Sequence, residues 1–174
     1  MGSFGLELWA DWWERVMDAG KAHNITPPGP SDIHRIEAGI LNYGADMTLE
    51  NNPYELDLGW MVNLLQEGNF IGKGALERIK ADGAKQKLIG IKIDGDPIEF
   101  NMTKWPVSIG SKDVGIVTSA VYSPRFGNNG YAWLPIEYTG LGTSLTIHHP
   151  EKDDLRAEVV EEPFVDPKKD IPKS

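Results

Sequence analysis

The sequence predicts an α+β protein: a truncated α/β segment followed by about six strands forming an antiparallel β-barrel or a sandwich. Three observations predict it. Apolar residues recur at helical spacing up to about residue 84, with helix stop signals between the runs. After Lys85 the pattern changes to short runs rich in Val, Ile and Thr, separated by turn formers. The first part also offers only two strand-like runs for three helices.

Phe4, Leu6 and Leu8 alternate with Ser3, Gly5 and Glu7, the pattern of a short strand with one apolar face. Trp9, Trp12, Trp13, Val16 and Met17 then form one apolar stripe of a helix, packed in a core or an interface. Gly20 and the segment Thr26 to Pro30 end it. Ser31 suits the N-cap of a second helix, with Ile33, Ile36 and Ile40 on its buried side. Leu56, Leu58, Trp60, Val62 and Leu64 alternate and predict a strand over 56–65. A third helix is expected over about Ala75 to Ala81, stopped by Gly83. The barrel strands are expected at Leu88–Ile93, Pro106–Ile109, Val114–Ala120, Gly130–Leu134, Ser144–His148 and Ala157–Val160. The expected organisation is thus a partial α/β domain over 1–84, a β-barrel over 85–166 and a frayed tail over 167–174. A two-stranded sheet is marginal in water, so the first part is expected to be completed by something outside the chain or by a second copy.

The 174 residues carry a formal net charge of −9 and are 40% hydrophobic. Phosphates repel such a chain, which argues against nucleic acid and anionic membranes as partners. With no cysteine there is no disulfide, thiolate nucleophile or zinc–thiolate site. No apolar run reaches the ~20 residues of a membrane span, and the N-terminus lacks the basic region of a signal peptide. The expected compartment is the cytoplasm. His23 and His34 fall on different helices, and the adjacent His148 and His149 point to opposite faces of a strand, so no metal site is expected. Gly72-Lys73-Gly74 lacks the spacing of a phosphate loop.

Several segments together resemble the glycine cleavage T-protein (aminomethyltransferase) family, in its C-terminal half, and its relative dimethylsulfoniopropionate demethylase. They are Gly5-Leu6-Glu7-Leu8; Arg35-Ile36-Glu37-Ala38-Gly39 with Tyr43-Gly44 and Asp46; and Asn52-Pro53-Tyr54-Glu55 through Leu58-Gly59-Trp60. Asn69-Phe70-Ile71-Gly72-Lys73 with Ala75-Leu76, then Gly115, Thr118-Ser119 and Ser123-Pro124, continue the series in the family's order. The resemblance implies that the α/β segment is of the folate-binding type and that the parent enzyme transfers a one-carbon unit from a small amine or sulfonium donor to tetrahydrofolate. It also implies that the aspartate assisting catalysis lies in a first half absent from this chain. The chain is therefore expected to be a fragment, inactive alone, that pairs with that missing N-terminal half or forms a homo-oligomer.

Three residues are cofactor-binding candidates by resemblance, and no catalytic residue is assigned. Glu7 matches the glutamate that hydrogen-bonds the pterin; a carboxylate can accept two parallel N–H donors from such an edge. Without the resemblance it is a solvent-facing strand carboxylate. Trp60 matches a tryptophan at the folate pocket, or else is a core residue on a strand. Tyr43 lines the pocket or packs in the core. Arg35 and Glu37, beside the apolar positions of a helix, are expected to make structural hydrogen bonds. The sequence departs from the family where Ser31 replaces a folate-binding arginine, as in demethylase-like members, and where Asp166 follows Pro163-Phe164-Val165 in place of the basic residue of some relatives. Two further readings stand beside the enzyme fragment: a non-catalytic folate-binding or self-associating module, and the C-terminal segment of a dimethylglycine or sarcosine dehydrogenase.

Overall fold

The computed structural model describes residues 4–26, 31–101 and 103–166, with side chains described from residue 9 onward. The tail expected over 167–174 and most of the proline-rich break at 27–30 lie outside the described residues. The chain forms two compact units, Met1–Ser31 and Asp32–Ser174.

In the first unit, α1 (Phe4–Gly20) continues into a single 3-10 turn, Lys21–His23. Asn24 closes it in the left-handed conformation, φ 54°, donating its backbone N–H to the Lys21 carbonyl. Gly20 is required at the turn, because a Cβ there would lie 2.7 Å from the Ile25 side chain. The strand expected over Phe4 to Leu8 is corrected: these residues are the first turns of α1. A strand needs a partner to bond its peptide groups, whereas a helix satisfies them within itself. The tryptophan stripe forms at the expected spacing but not as a core. Trp9, Trp12 and Trp13 are 76%, 60% and 55% exposed.

In the second unit, α2 (Asp32–Glu37) is followed by a long run of turns and then by α3 (Lys73–Asp82). The strand expected over 56–65 is also corrected, since its backbone bonds are local. Asn52 Oδ1 accepts from the N–H groups of Tyr54 and Glu55, Leu58 N–H donates to the Pro53 carbonyl, and Val62 N–H to that of Gly59. An Asn side chain that bonds the backbone two and three residues on commits it to a turn. Asp57, at φ 56°, turns the chain again before a single 3-10 turn at Gly59–Met61. The alternation of Leu56 to Leu64 thus has no sheet behind it. α3 lies close to its expected span, ending as Gly83 N–H bonds the Ile79 carbonyl.

The six expected strands are all present: β1 (Gln86–Ile93), β2 (Trp105–Ile109), β3 (Lys112–Ser123), β4 (Gly127–Pro135), β5 (Ser144–Ile147) and β6 (Leu155–Val160). They form a closed antiparallel barrel in the order β1-β4-β3-β2-β5-β6, with β6 pairing back to β1. Closure leaves no open edge. Strand alternation divides the side chains between two cores. Ile91, Ile93, Val107, Val117, Leu134, Ile147 and Val159 fill the interior. On the outside, Leu88, Val121 and Tyr131 join Ile36 of α2 in a second cluster. That cluster fixes α2 and the loops near it to the outer wall of β1, β3 and β4, with Leu56, Phe100, Trp133 and Phe164 packed around it.

Two glycines allow the barrel to close. A Cβ at Gly115 would sit 2.0 Å from the Trp133 carbonyl oxygen, and one at Gly130 would sit 2.1 Å from that of Ser119. Both contacts are with backbone, which has no other rotamer to adopt. They flank the register shift between Val117 and Ser119, where β3 bulges against β4.

Candidate functional site

A buried polar network ties the motif residues of α2 and its following loop to the barrel. Asp46 is its centre, with a fully buried side chain. Its Oδ1 accepts from Thr118 Oγ1 at 2.8 Å and from Ser119 Oγ at 2.6 Å. Its Oδ2 accepts from Arg35 Nη1 at 2.9 Å and from the Asn42 backbone N–H at 2.8 Å. Arg35 donates again to Ser119 Oγ at 2.9 Å and to Asp32 at 2.6 Å. Trp133 Nε1 donates to the Asp46 carbonyl, and Tyr131 Oη to that of Ile36. Nearby, Glu37 Oε1 accepts from Ser123 Oγ at 2.5 Å. Burial, then the nearby carboxylates Glu162 and Asp46, push the Tyr131 phenol well above its ordinary range, so it remains a neutral donor. A buried charge this fully paired holds a structure in register. Arg35 and Glu37 thus make the structural bonds expected of them, whereas the central place of Asp46 was not foreseen. Its signal was present: an aspartate shortly after an Arg-x-Glu helix, with a Thr-Ser pair downstream.

Trp60 lies apart from this network. It stands on the 3-10 turn at Gly59–Met61, 80% exposed, so the reading of it as a core residue on a strand is set aside. It borders a cleft of about 590 Å³ shared with Tyr54, Asp57, Ile79, Lys80, Lys87 and Ile136. That volume lies within the range of small-molecule sites. Gly59 permits its shape, since a Cβ there would meet the Tyr54 ring at 2.7 Å. The Tyr54 hydroxyl is buried without a partner, and the Lys87 ammonium is paired with Asp57 at 2.8 Å. The cleft therefore offers an aromatic plate, a second ring and a charged pair, which suits the binding of a flat, polar-edged molecule better than bond cleavage.

Tyr43 is also exposed, at 62%, in a short bridge with Met47, which corrects its reading as core. It is not among the residues lining the Trp60 cleft. Glu7 sits in the first turns of α1, in the first unit, while Tyr43 and Trp60 belong to the second. The side chain of Glu7 lies outside the described parts.

His148 and His149 are used structurally. His148 Nε2 is 2.8 Å from Ser108 Oγ, and its Nδ1 is 2.9 Å from Asp154 Oδ1. That connectivity is the one a serine nucleophile uses. Ser108, however, is only 3% exposed on β2, which closes its hydroxyl to a substrate carbonyl. The array clips the β5–β6 connection to β2. His149 instead stacks on Trp105, ring centroids 4.6 Å apart. Among the described residues no group of His, Asp and Glu side chains is arranged to hold a metal ion, and no helix is long and apolar enough to cross a membrane.

The chain thus pairs a closed six-stranded antiparallel barrel with α2 and its following loop, which an Arg–Asp–Ser network binds to the outer wall. The family model described as "Glycine cleavage T-protein C-terminal barrel domain" matches residues 86–166, and that described as "GCVT N-terminal domain" matches residues 7–66. The aminomethyltransferase of Alkaliphilus oremlandii is 36% identical over 172 residues, covering 94% of this chain and 46% of that protein. Dimethylsulfoniopropionate demethylase of Ruegeria pomeroyi is 34% identical over 161 residues, covering 92% of this chain and 43% of its own length. The crystal structure of the glycine cleavage system aminomethyltransferase T from Bartonella henselae superposes with a TM-score of 0.68 at 24% identity, over 77% of this chain and 37% of that one, a likeness of fold. The chain belongs to the glycine cleavage T-protein family. It spans about half the length of the curated relatives it matches.

Proposed function

We propose that this chain forms part of a tetrahydrofolate-dependent one-carbon transferase, which moves an aminomethyl or methyl group from a small amine or sulfonium donor to the folate. The observation that carries the reading is Trp60, a large aromatic left 80% exposed beside a cleft of about 590 Å³. Leaving an indole in water forfeits burial energy on the order of 2 kcal/mol, and a flat pterin or aminobenzoyl ring would recover it. Relatives named for aminomethyl transfer and for demethylation support the reaction class.

In this reading residues 1–84 contribute to the folate-side domain and 85–166 form the supporting barrel. Glu7 anchors the pterin, Trp60 supplies the plate and Tyr43 lines the approach. The donor contacts and the carboxylate that moves the proton come from parts of the family fold that this chain does not span, so positioning is its contribution to catalysis. The 174-residue chain alone is then expected to show no folate-dependent aminomethyl transfer or demethylation. A purified sample tested with glycine-derived and sulfonium donors checks this, and measurable turnover overturns it. A second reading, self-association, is favoured by the exposed face of Trp9, Trp12, Trp13 and Val16 on α1. Light scattering at high concentration separates the two: a strict monomer counts against self-association and leaves the transferase reading standing.

A further inference from the structure

The last described segment, residues 161–166, crosses the outer wall of the barrel as a strap. Val165 donates its backbone N–H to the Glu37 carbonyl at 2.9 Å, which joins the strap to the end of α2. Pro163 lies against Gly39, where a Cβ would be 3.1 Å from the proline ring. Phe164 enters the outer apolar cluster and faces Phe126, ring centroids 6.4 Å apart. The strap thus covers the contact by which α2 is held to β3 and β4.

It is poorly packed for such a position. A hollow of about 260 Å³ lies on one side of it, beside Lys92, Phe126 and Asn129. Another of about 260 Å³ lies on the other side, beside Asp57, Lys87 and Gly90. Two buried oxygens near it lack hydrogen-bond partners: Asn129 Oδ1 and Glu162 Oε2. Both atoms are buried, although Glu162 as a residue is only half-buried.

The charged groups around Glu162 do not neutralise it. Asp57 and Asp46 oppose its ionisation, and Lys87, the cation that favours it, is engaged by Asp57 at 2.8 Å. Asp46 is itself committed to Arg35, and Glu37 to Ser123 with Arg125 3.9 Å away. The neutral Tyr131 and the adjacent, exposed Glu161 are also near, and Lys92 borders the hollow beside Glu161 and Pro163.

We propose that the strap is a pH-operated clasp: it closes over α2 when the Glu162 carboxyl is neutral and lifts when Glu162 ionises. An ionised carboxylate with a buried, unpartnered oxygen is disfavoured. Lifting the strap hydrates the charge and sacrifices one backbone bond and the Phe164 contact. Burial first, then the carboxylates of Asp57 and Asp46, push the Glu162 carboxyl up to about 7 from its ordinary 4.5. Its protonated form therefore holds the strap fully below about 4.5, and that hold is lost as the pH rises through about 7.

The test is amide hydrogen exchange of Val165 in the full chain at pH 5 and pH 8, corrected for intrinsic exchange rates. Protection is expected to fall by about tenfold or more between those values, saturating above the titration. Glu162→Gln keeps the shape and removes the charge, so its protection should stay flat across that range. Glu161→Gln, on the exposed neighbour, should retain the wild-type response. Equal pH dependence in wild type and Glu162→Gln, or a flat response in wild type, overturns the proposal. If Glu162→Gln does not fold, the wild-type profile with Glu161→Gln as control still decides it.

Discussion

At the scale of single residues, Asp46 shows how much a motif conceals. Its four hydrogen bonds come from α2, from its own loop and from β3, so one carboxylate holds three segments together. Replacing it by Ala leaves the Arg35 guanidinium, only 14% exposed, without its buried counter-charge. Asp46→Ala is expected to lose about 3–5 kcal/mol in denaturant unfolding, the usual result of removing one partner of a buried pair. A loss below ~1 kcal/mol would mean that the network is decorative. By contrast Trp60→Ala removes a ring already in water, and stability should change by less than about 0.5 kcal/mol. The sequence displayed Arg35, Asp46, Thr118 and Ser119 as separate motif fragments. It could not show that they meet, because Asp46 and Ser119 lie 73 positions apart in the chain. Glu162 was hidden for a similar reason: as one of two adjacent glutamates before a proline it resembles surface, and only the strap crossing the barrel half-buries it and encloses one of its oxygens.

At the scale of elements, what was legible depended on whether an element satisfies its own backbone. The six barrel strands were found because turn formers mark every end and the apolar period persists between them. α2 and α3 followed from helical spacing and from Gly83. The two missed strands share a cause. Alternation over Phe4–Leu8 and over 56–65 describes a face, but a strand also needs a neighbour, and there the local bonds of a helix and of Asn-Pro turns prevailed. The glycines inside strands were legible only as weak points, whereas each marks a backbone crossing. Gly130→Ala would place a methyl 2.1 Å from the Ser119 carbonyl oxygen, so β3 and β4 must separate. The variant is expected to lose its cooperative thermal transition by circular dichroism. A transition within a few degrees of wild type would show that the bulge can relax.

At the scale of the whole molecule, the barrel and its outer cluster account for the fold, and the exposed aromatics point beyond it. Trp9, Trp12 and Trp13 on the first unit and Trp60 on the second are large apolar groups in water. Isolated exposed aromatics are ordinary on a protein surface, whereas three on one helix face make a contiguous apolar patch. Because the chain spans about half the length of its curated relatives, the transferase reading assigns such faces to the rest of the family fold. Of the candidate site, the sequence supplied Trp60, Tyr43 and Glu7 through resemblance. It could not supply the cleft beside Trp60, because a cleft depends on which loops converge rather than on spacing within one of them.

The most direct measurement is the response of the six tryptophan indole resonances to millimolar tetrahydrofolate, sensitive enough to register weak binding. The Trp60 resonance is expected to shift in a saturable way, while that of Trp105, buried in the barrel, stays fixed. An unmoved Trp60 at the highest folate concentration would contradict the assignment of its cleft to the cofactor.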